Sequence, residues 1–274
     1  PPRTMSSSDT LTPAAGTGSE YDSFADIYAV WSDTARSTRA NLAFYVDAYA
    51  AADGPVVELG VGDGRVAVEA AVQGCHVIGV DASPAMLALC RQRAQRAGVT
   101  DQITLVEADF RDFELEEPAG LIALPYHSIG HLLTLDDKRQ AMRHIFAHVR
   151  PGGRFVFDDF LMTPALMAHM RQVQLRAAYR STAGVDMLLW VTSLVDEPSQ
   201  SMTVVTWEDE LDAVGHLDRR RYRRLSLSWL EPPQARRLLQ DTGFAIEACF
   251  GDFHSTPFAE TTATEQVWVA RRPA

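Results

Sequence analysis

Cysteine is scarce in this 274-residue chain: Cys75, Cys90 and Cys249 lie far apart and form no paired pattern. That spacing excludes a disulfide framework and a thiolate zinc cluster, and fits a reduced, cytoplasmic protein with cysteines as small apolar core residues. Long apolar runs are also missing. No stretch reaches the roughly 18 residues that a spanning helix needs, so no membrane partner is expected. Positive charge is short as well: 25 Lys and Arg stand against 36 Asp and Glu, a net charge of −11. This disfavours a nucleic-acid partner, because phosphate neutralisation supplies most nonspecific affinity for DNA and RNA. What remains is ordinary globular material, 46% hydrophobic and 22% charged, enough for a full core. Residues 1–20 are rich in Ser, Thr, Pro and Gly without a signal-type apolar stretch, and are expected to form a flexible tail.

From Gly54 to Asp159 short apolar runs alternate with helical patterns, which predicts a parallel, doubly wound α/β sheet. The runs Val56–Leu59, His76–Val80, Ile103–Val106, Leu121–Leu124 and Phe155–Phe157 are the expected strands. Ser83 suits an N-cap, Pro84 a first helical position and Gly98 a C-terminal stop. Ala141, Ile145 and Val149 recur every four residues until Pro151-Gly152-Gly153 breaks the helix. After Phe160 the pattern changes. Ala165–Ala178 predicts one helix, and Met187–Leu194, Met202–Leu211 and Arg221–Trp229 predict an inserted antiparallel meander. Pro232-Pro233 opens a helix to about Asp241, followed by strands Phe244–Phe250 and Gln266–Ala270. Ser23–Tyr49 predicts one or two amphipathic helices whose aromatics pack on the sheet. The expected organisation is thus a tail (1–20), an N-terminal helical lid (21–53), a Rossmann-like domain (54–160 and 232–274) and an inserted cap (161–231).

The first strand runs into Glu58-Leu59-Gly60-Val61-Gly62-Asp63-Gly64, a turn that lets a ligand approach the backbone closely. A dinucleotide loop of G-x-G-x-x-G type would place its third glycine at position 65, which is Arg65. The nicotinamide reading is therefore disfavoured. Asp81 follows the second strand, seventeen positions after Gly64, where an acceptor-only carboxylate can take both hydroxyl protons of a ribose. Asp109 ends the third strand with Phe110 beside it, suited to an adenine amino group and ring.

Taken together, Val57–Gly64, Val80–Leu87 and Glu107-Ala108-Asp109 resemble the first three motifs of the class I S-adenosylmethionine-dependent methyltransferases. The resemblance implies a seven-stranded sheet whose last strand is antiparallel, with S-adenosyl-L-methionine as cofactor. It implies Gly60 and Gly62 against the methionine portion, Asp81 on the ribose and Asp109 by the adenine. Glu58, Gly64, Ala82, Met86, Ala108, Phe110 and Leu124, with Tyr21, Tyr28 and Trp31 of the lid, complete the implied cofactor shell.

Just past the fourth strand, Leu124–Leu132 offers two histidines where a methyl group would point. Ser128-Ile129-Gly130-His131 resembles the corresponding segment of amino-sugar N-methyltransferases, as do Phe24–Tyr28 in the lid and the inserted meander. That resemblance implies His131 facing a substrate amine, with His127 as a second catalytic candidate and Tyr126 as a wall of the acceptor pocket. Two departures, Trp31-Ser32 and Tyr126-His127, bear on substrate identity. Arg224, in the basic run Arg219–Arg224, is a candidate for binding an acidic group of the acceptor. Asp158-Asp159 has no third ligand at a telling spacing, so no metal is expected. The main expectation is N-methylation of a small molecule, an amino sugar or an amino-acid-derived natural product. An O-methyltransferase with a histidine base and a non-catalytic cofactor-binding protein are the alternatives, and a homo-oligomer is compatible with either.

Overall fold

The computed structural model describes residues 24, 25, 27, 28, 30, 31 and 37–274; Tyr21 lies outside the described residues. Helix α1 (Ser37–Ala50) leads into β1 (Val56–Leu59), α2 (Arg65–Val72), β2 (Val77–Asp81), α3 (Pro84–Ala97), β3 (Ile103–Glu107) and β4 (Ala119–Leu124). Then follow α4 (Leu135–His148), β5 (Val149–Phe160) and α5 (Pro164–Met170). Next come β6 (Gln174–Arg180), β7 (Asp186–Asp196), β8 (Ser201–Leu211) and β9 (Leu217–Ser228), then α6 (Pro232–Thr242), β10 (Ala245–Phe250) and β11 (Glu265–Arg271).

Seven strands form one sheet in the order β10-β11-β5-β4-β1-β2-β3, with β11 antiparallel to β5 and β10. The apolar runs are continuous because both faces are covered. On one face Val57, Leu59, Ile122 and Phe155 meet Ala141, Met142 and Ile145 of α4 and Leu238 and Leu239 of α6. On the other, Val56, Leu121 and Val156 meet Tyr45 and Tyr49 of α1, Ala67 of α2 and Leu87 of α3. The reversal of strand order between β1 and β4 opens a crevice at their carboxyl ends, the general ligand position of such sheets.

The helix punctuation follows local chemistry. Ser83 Oγ accepts the Met86 N–H at 3.2 Å, Pro84 opens α3 and Gly98 ends it in the left-handed region. Gly64, at φ +79°, turns the chain into α2, and a Cβ there would lie 2.5 Å from Cys90 Sγ. Gly64→Ala is expected to destabilise the protein by about 2–3 kcal/mol, combining backbone strain with overpacking. Gly98, at φ +71° with open space around it, is the control. Gly98→Ala carries the strain alone, about 1 kcal/mol, and equal losses in urea unfolding would refute the packing part.

Three expectations are corrected. The predicted helix Ala165–Ala178 ends at Met170, and Gln174–Arg180 is instead a strand paired antiparallel with β7. The insert is therefore a four-stranded sheet, β6-β7-β8-β9. The fifth strand does not begin at Phe155 but at Val149: Pro151-Gly152-Gly153 sits inside it, where Gly152 adopts φ +80° and the β4 register shifts. Finally, Phe24 and Ile27 do not pack on the seven-stranded sheet. They enter the core of the insert with Met162, Leu189, Met202 and Leu225.

Candidate active site

At the carboxyl ends of β1, β2 and β4 lies a cavity of about 460 Å³. Its wall contains Tyr28, Glu58, Gly60, Gly62, Asp81, Ala82, Met86, Asp109, Phe110, Tyr126 and His131 of the sequence-predicted residues. Gly60 makes the floor: its amide donates to Val80 O at 2.8 Å, and at φ +67° a Cβ would sit 3.1 Å from Ser128 Oγ. A side chain there would fill the space that a ligand needs. Asp81 accepts the Gly62 N–H on Oδ2 and the Ser83 N–H on Oδ1, each at 2.8 Å. These bonds fix the orientation of an acceptor-only carboxylate. Asp109 is gripped by Arg111, whose Nε and Nη2 donate to its two oxygens at 2.8 Å, which holds the carboxyl below its usual range. Arg111 also reaches Asp137 of α4 at 2.7 Å. The floor, the fixed acceptor-only carboxylate and the apolar slot of Ala82, Met86 and Phe110 fit a zwitterionic adenosyl cofactor.

Glu58 closes the cavity from below. Burial pushes its carboxyl up to about 8, against the opposing hydrogen bond donated by the Tyr49 hydroxyl at 3.0 Å. Burial thus favours its uncharged acid form.

Opposite the glycine loop, the chain after β4 takes an unusual path. Tyr126 and His127 both have left-handed φ, +61° and +56°, a strain of order 1–3 kcal/mol each. Buried Asp158 at the end of β5 compensates it. Its Oδ1 accepts the Tyr126 N–H at 2.9 Å and its Oδ2 the His127 N–H at 2.8 Å, while the Tyr45 hydroxyl also donates to Oδ1. Asp159 likewise accepts the amides of Phe160 and Leu230 at 2.8 Å. Both carboxylates thus serve the backbone.

His127 stacks on Phe160, ring centroids 3.8 Å apart, and its Nε2 lies 2.9 Å from Glu265 Oε2. Burial works against its charge, but Glu265 and Asp158 outweigh it and raise the imidazole to about 9. His127 does not line the cavity; it anchors the turn that presents Tyr126. The sign of the linkage follows. A folded-state value above the unfolded 6.5 gives stability that is complete below pH 6.5 and lost as pH rises to about 9. The loss is on the order of 3 kcal/mol. Glu265→Gln is expected to flatten that slope in urea unfolding series; an unchanged slope would show that the pair is not its source.

His131 lines the cavity from a 3-10 turn, Ser128–His131. Burial, reinforced by the Lys138 ammonium, lowers its imidazole to about 4, so it is neutral at pH 7. Lys138 is the one lysine of the sequence and is buried. Its Nζ donates to Ile129 O (2.7 Å), Leu132 O (2.6 Å) and Ser228 Oγ (2.9 Å), tying the His131 turn to β9.

Six predicted residues stand elsewhere. Gly64 packs against Cys90, Leu124 is fully buried, and the Ala108 amide donates to Asp81 O. Trp31 lies under the Arg176 guanidinium at 4.7 Å, and His127 is the anchor just described. Arg224 is exposed on the outer face of β9, whereas Leu225 and Ser226 are the β9 residues of the wall, so Arg224 is placed away from the site. Sequence reasoning missed Tyr45, Tyr49, Arg111, Lys138 and Glu265. Only the i, i+4 spacing of Tyr45 and Tyr49 on one helix face offered a signal.

Comparison with known proteins agrees with the fold. Residues 56–153 match the family model described as a methyltransferase domain. The carboxy-S-adenosyl-L-methionine synthase of Vibrio parahaemolyticus is 34% identical over 93 residues, 32% of this chain and 37% of that protein. The chain thus spans little more than a third of the length of that curated relative. The CcbJ methyltransferase from Streptomyces caelestis superposes with a TM-score of 0.78 at 24% identity, over 94% of this chain and 99% of that one. The sugar N-methyltransferase KedS8 from Streptoalloteichus superposes with a TM-score of 0.70 at 18% identity, over 99% and 100%. Among the described residues no helix is long and apolar enough to cross a membrane.

Proposed function

We propose that this chain, which carries a class I S-adenosylmethionine-dependent methyltransferase domain, methylates the nitrogen of a small-molecule amine, an amino sugar or amino-acid-derived natural product. The observation that carries the reading is His131, held neutral on the cavity wall opposite the glycine loop. When bound, the cofactor supplies an electrophilic methyl group. Gly60 and Gly62 would admit its methionine portion, Asp81 would take the ribose hydroxyls, Asp109 and Phe110 would lie by the adenine, and Tyr28 would cover the loop. Tyr126 and His131 form the acceptor wall. The neutral imidazole of His131 would accept an N–H from an amine and so orient its nitrogen lone pair. An alcohol needs more: a base strong enough to take its proton in the transition state. A histidine lowered to about 4 is a poor base for that task, which favours nitrogen over oxygen. The solved sugar N-methyltransferase of the same fold supports the choice of acceptor class.

The test has two parts. S-adenosylhomocysteine should bind in calorimetry, and Asp81→Ala should weaken it at least about tenfold. In a panel of paired amines and alcohols, transfer should go to the amines, with a pH–rate profile that follows each amine's own pKa. Turnover confined to alcohols, with one enzyme-set pKa across the panel, would overturn the reading.

A further inference from the structure

The turn that carries His131, Ser128–His131, is short and makes few bonds of its own. The Gly130 N–H donates to His127 O at 2.8 Å and the Leu132 N–H to Ile129 O at 3.2 Å. Much of its remaining hydrogen-bonding capacity is met from the insert by Ser228, the last residue of β9 and 2% exposed. The Ser228 hydroxyl accepts one Lys138 N–H at 2.9 Å. For its own proton it has two carbonyls in reach, Leu132 O at 2.9 Å and Gly130 O at 3.3 Å. Lys138 gives its other N–H groups to Ile129 O and Leu132 O, so the ammonium has every donor engaged. The backbones are equally close. A Cβ on Gly130 would lie 2.8 Å from Ser228 O, so seating the turn against β9 needs glycine there. The strand end is held in its turn by the seven-stranded sheet: Asp159 Oδ2 accepts the Leu230 N–H at 2.8 Å, and Gln266 Nε2 donates to Leu230 O at 2.6 Å. Two and three positions before Ser228, Ser226 and Leu225 line the cavity. One strand thus carries both the insert's share of the cavity wall and the hydroxyl that seats the His131 turn.

We propose that Ser228 is a positioning residue for methyl transfer: with Lys138 it sets the place of the His131 imidazole, which makes the end of β9 part of the reacting centre as well as its cover. This rests on the role given to His131 above and names what holds that side chain in place.

The test compares Ser228→Ala with Ser193→Ala, a buried serine on β7 of the same insert, in the full-length protein. In Ser228→Ala the turnover of the best amine of the panel should fall about tenfold to a hundredfold, with the acceptor KM changed less than about threefold. Its calorimetric affinity for S-adenosylhomocysteine should stay at the wild-type value. The His131 resonance, assigned by its loss in His131→Ala, should titrate above the wild-type value of about 4, because a loosened turn admits water to the imidazole. Ser193→Ala should leave all of these readings unchanged. A natively folded Ser228→Ala with wild-type turnover and an unshifted His131 titration overturns the proposal. An equal loss in Ser193→Ala also overturns it, since that would mark a general weakening of the insert. Should Ser228→Ala not fold, Ser228→Cys puts a weaker acceptor in the same place and is read by the same titration. If the wild-type protein methylates no amine, the N-methylation reading fails, while the titration, which needs no acceptor, still decides whether Ser228 sets His131.

Discussion

Asp158→Ala is expected to cost about 3–5 kcal/mol of stability, the size seen when one member of a buried charge network is removed. The carboxylate holds three donors at once: the amides of Tyr126 and His127 and the hydroxyl of Tyr45. Alanine leaves all three buried without a partner, at about 1–3 kcal/mol each before relaxation. It also releases two consecutive non-glycine residues from left-handed φ, a conformation that their own side chains disfavour. His127 would lose one of the carboxylates that face its positive charge, keeping Glu265 at 2.9 Å and the more distant Asp159. Asp158→Asn keeps acceptor oxygen on one side and should cost less than half as much. Urea unfolding at constant m decides it, and a loss under about 1 kcal/mol for the alanine variant would refute the role. Affinity for S-adenosylhomocysteine should fall less than acceptor turnover, because the glycine loop draws its own bonds from Val80 and Asp81.

This dependence explains where the sequence was readable. Strands β1 and β4 are buried along their whole length, so an unbroken apolar run sufficed to find them. The glycine loop and Asp81 were legible because each position is dictated by backbone conformation within a few residues. Strand β6 was not. Its Gln, Leu, Arg and Ala residues are good helix formers, and only the ladder to β7 makes them extended. The turn at Tyr126 and His127 depends on a carboxylate some thirty positions later, which no local pattern announces. The duty of Asp158-Asp159 was hidden for the same reason: the sequence displays carboxylates but not the amides they serve. Lys138 has the appearance of a solvent-facing helix lysine, and burial against β9 is a property of the docked insert. In the run Arg219–Arg224 strand alternation correctly groups Arg220, Tyr222 and Arg224. The insert turns that face outward, while Arg223 goes inward to Glu208 at 2.6 Å.

His131→Ala is expected to lower methyl transfer by about 10²-fold, the size of a lost positioning contact, while leaving S-adenosylhomocysteine affinity within about threefold. The imidazole is neutral because burial strips its water and the Lys138 ammonium repels a second positive charge. Wild-type rate should therefore show no histidine-dependent fall until pH approaches 4; the acceptor amine's own protonation sets the acid limb above that. Lys138→Met removes the repulsion, so the His131 imidazole should move up toward 6.5, visible directly in histidine NMR titrations without any acceptor present. The same substitution leaves the carbonyls of Ile129 and Leu132 without the ammonium, so the NMR measurement is made only on a variant with native-like unfolding. For stability the sign of His131 is opposite to that of His127. Its lowered value makes the native state lose stability as pH falls from 6.5 to about 4, on the order of 3 kcal/mol. The two histidines thus bracket a window of greatest stability around pH 6–7, four residues apart in sequence, one charged and the other neutral. Unchanged turnover in His131→Ala across the amine panel would remove His131 from the reaction and return the acceptor wall to Tyr126 alone.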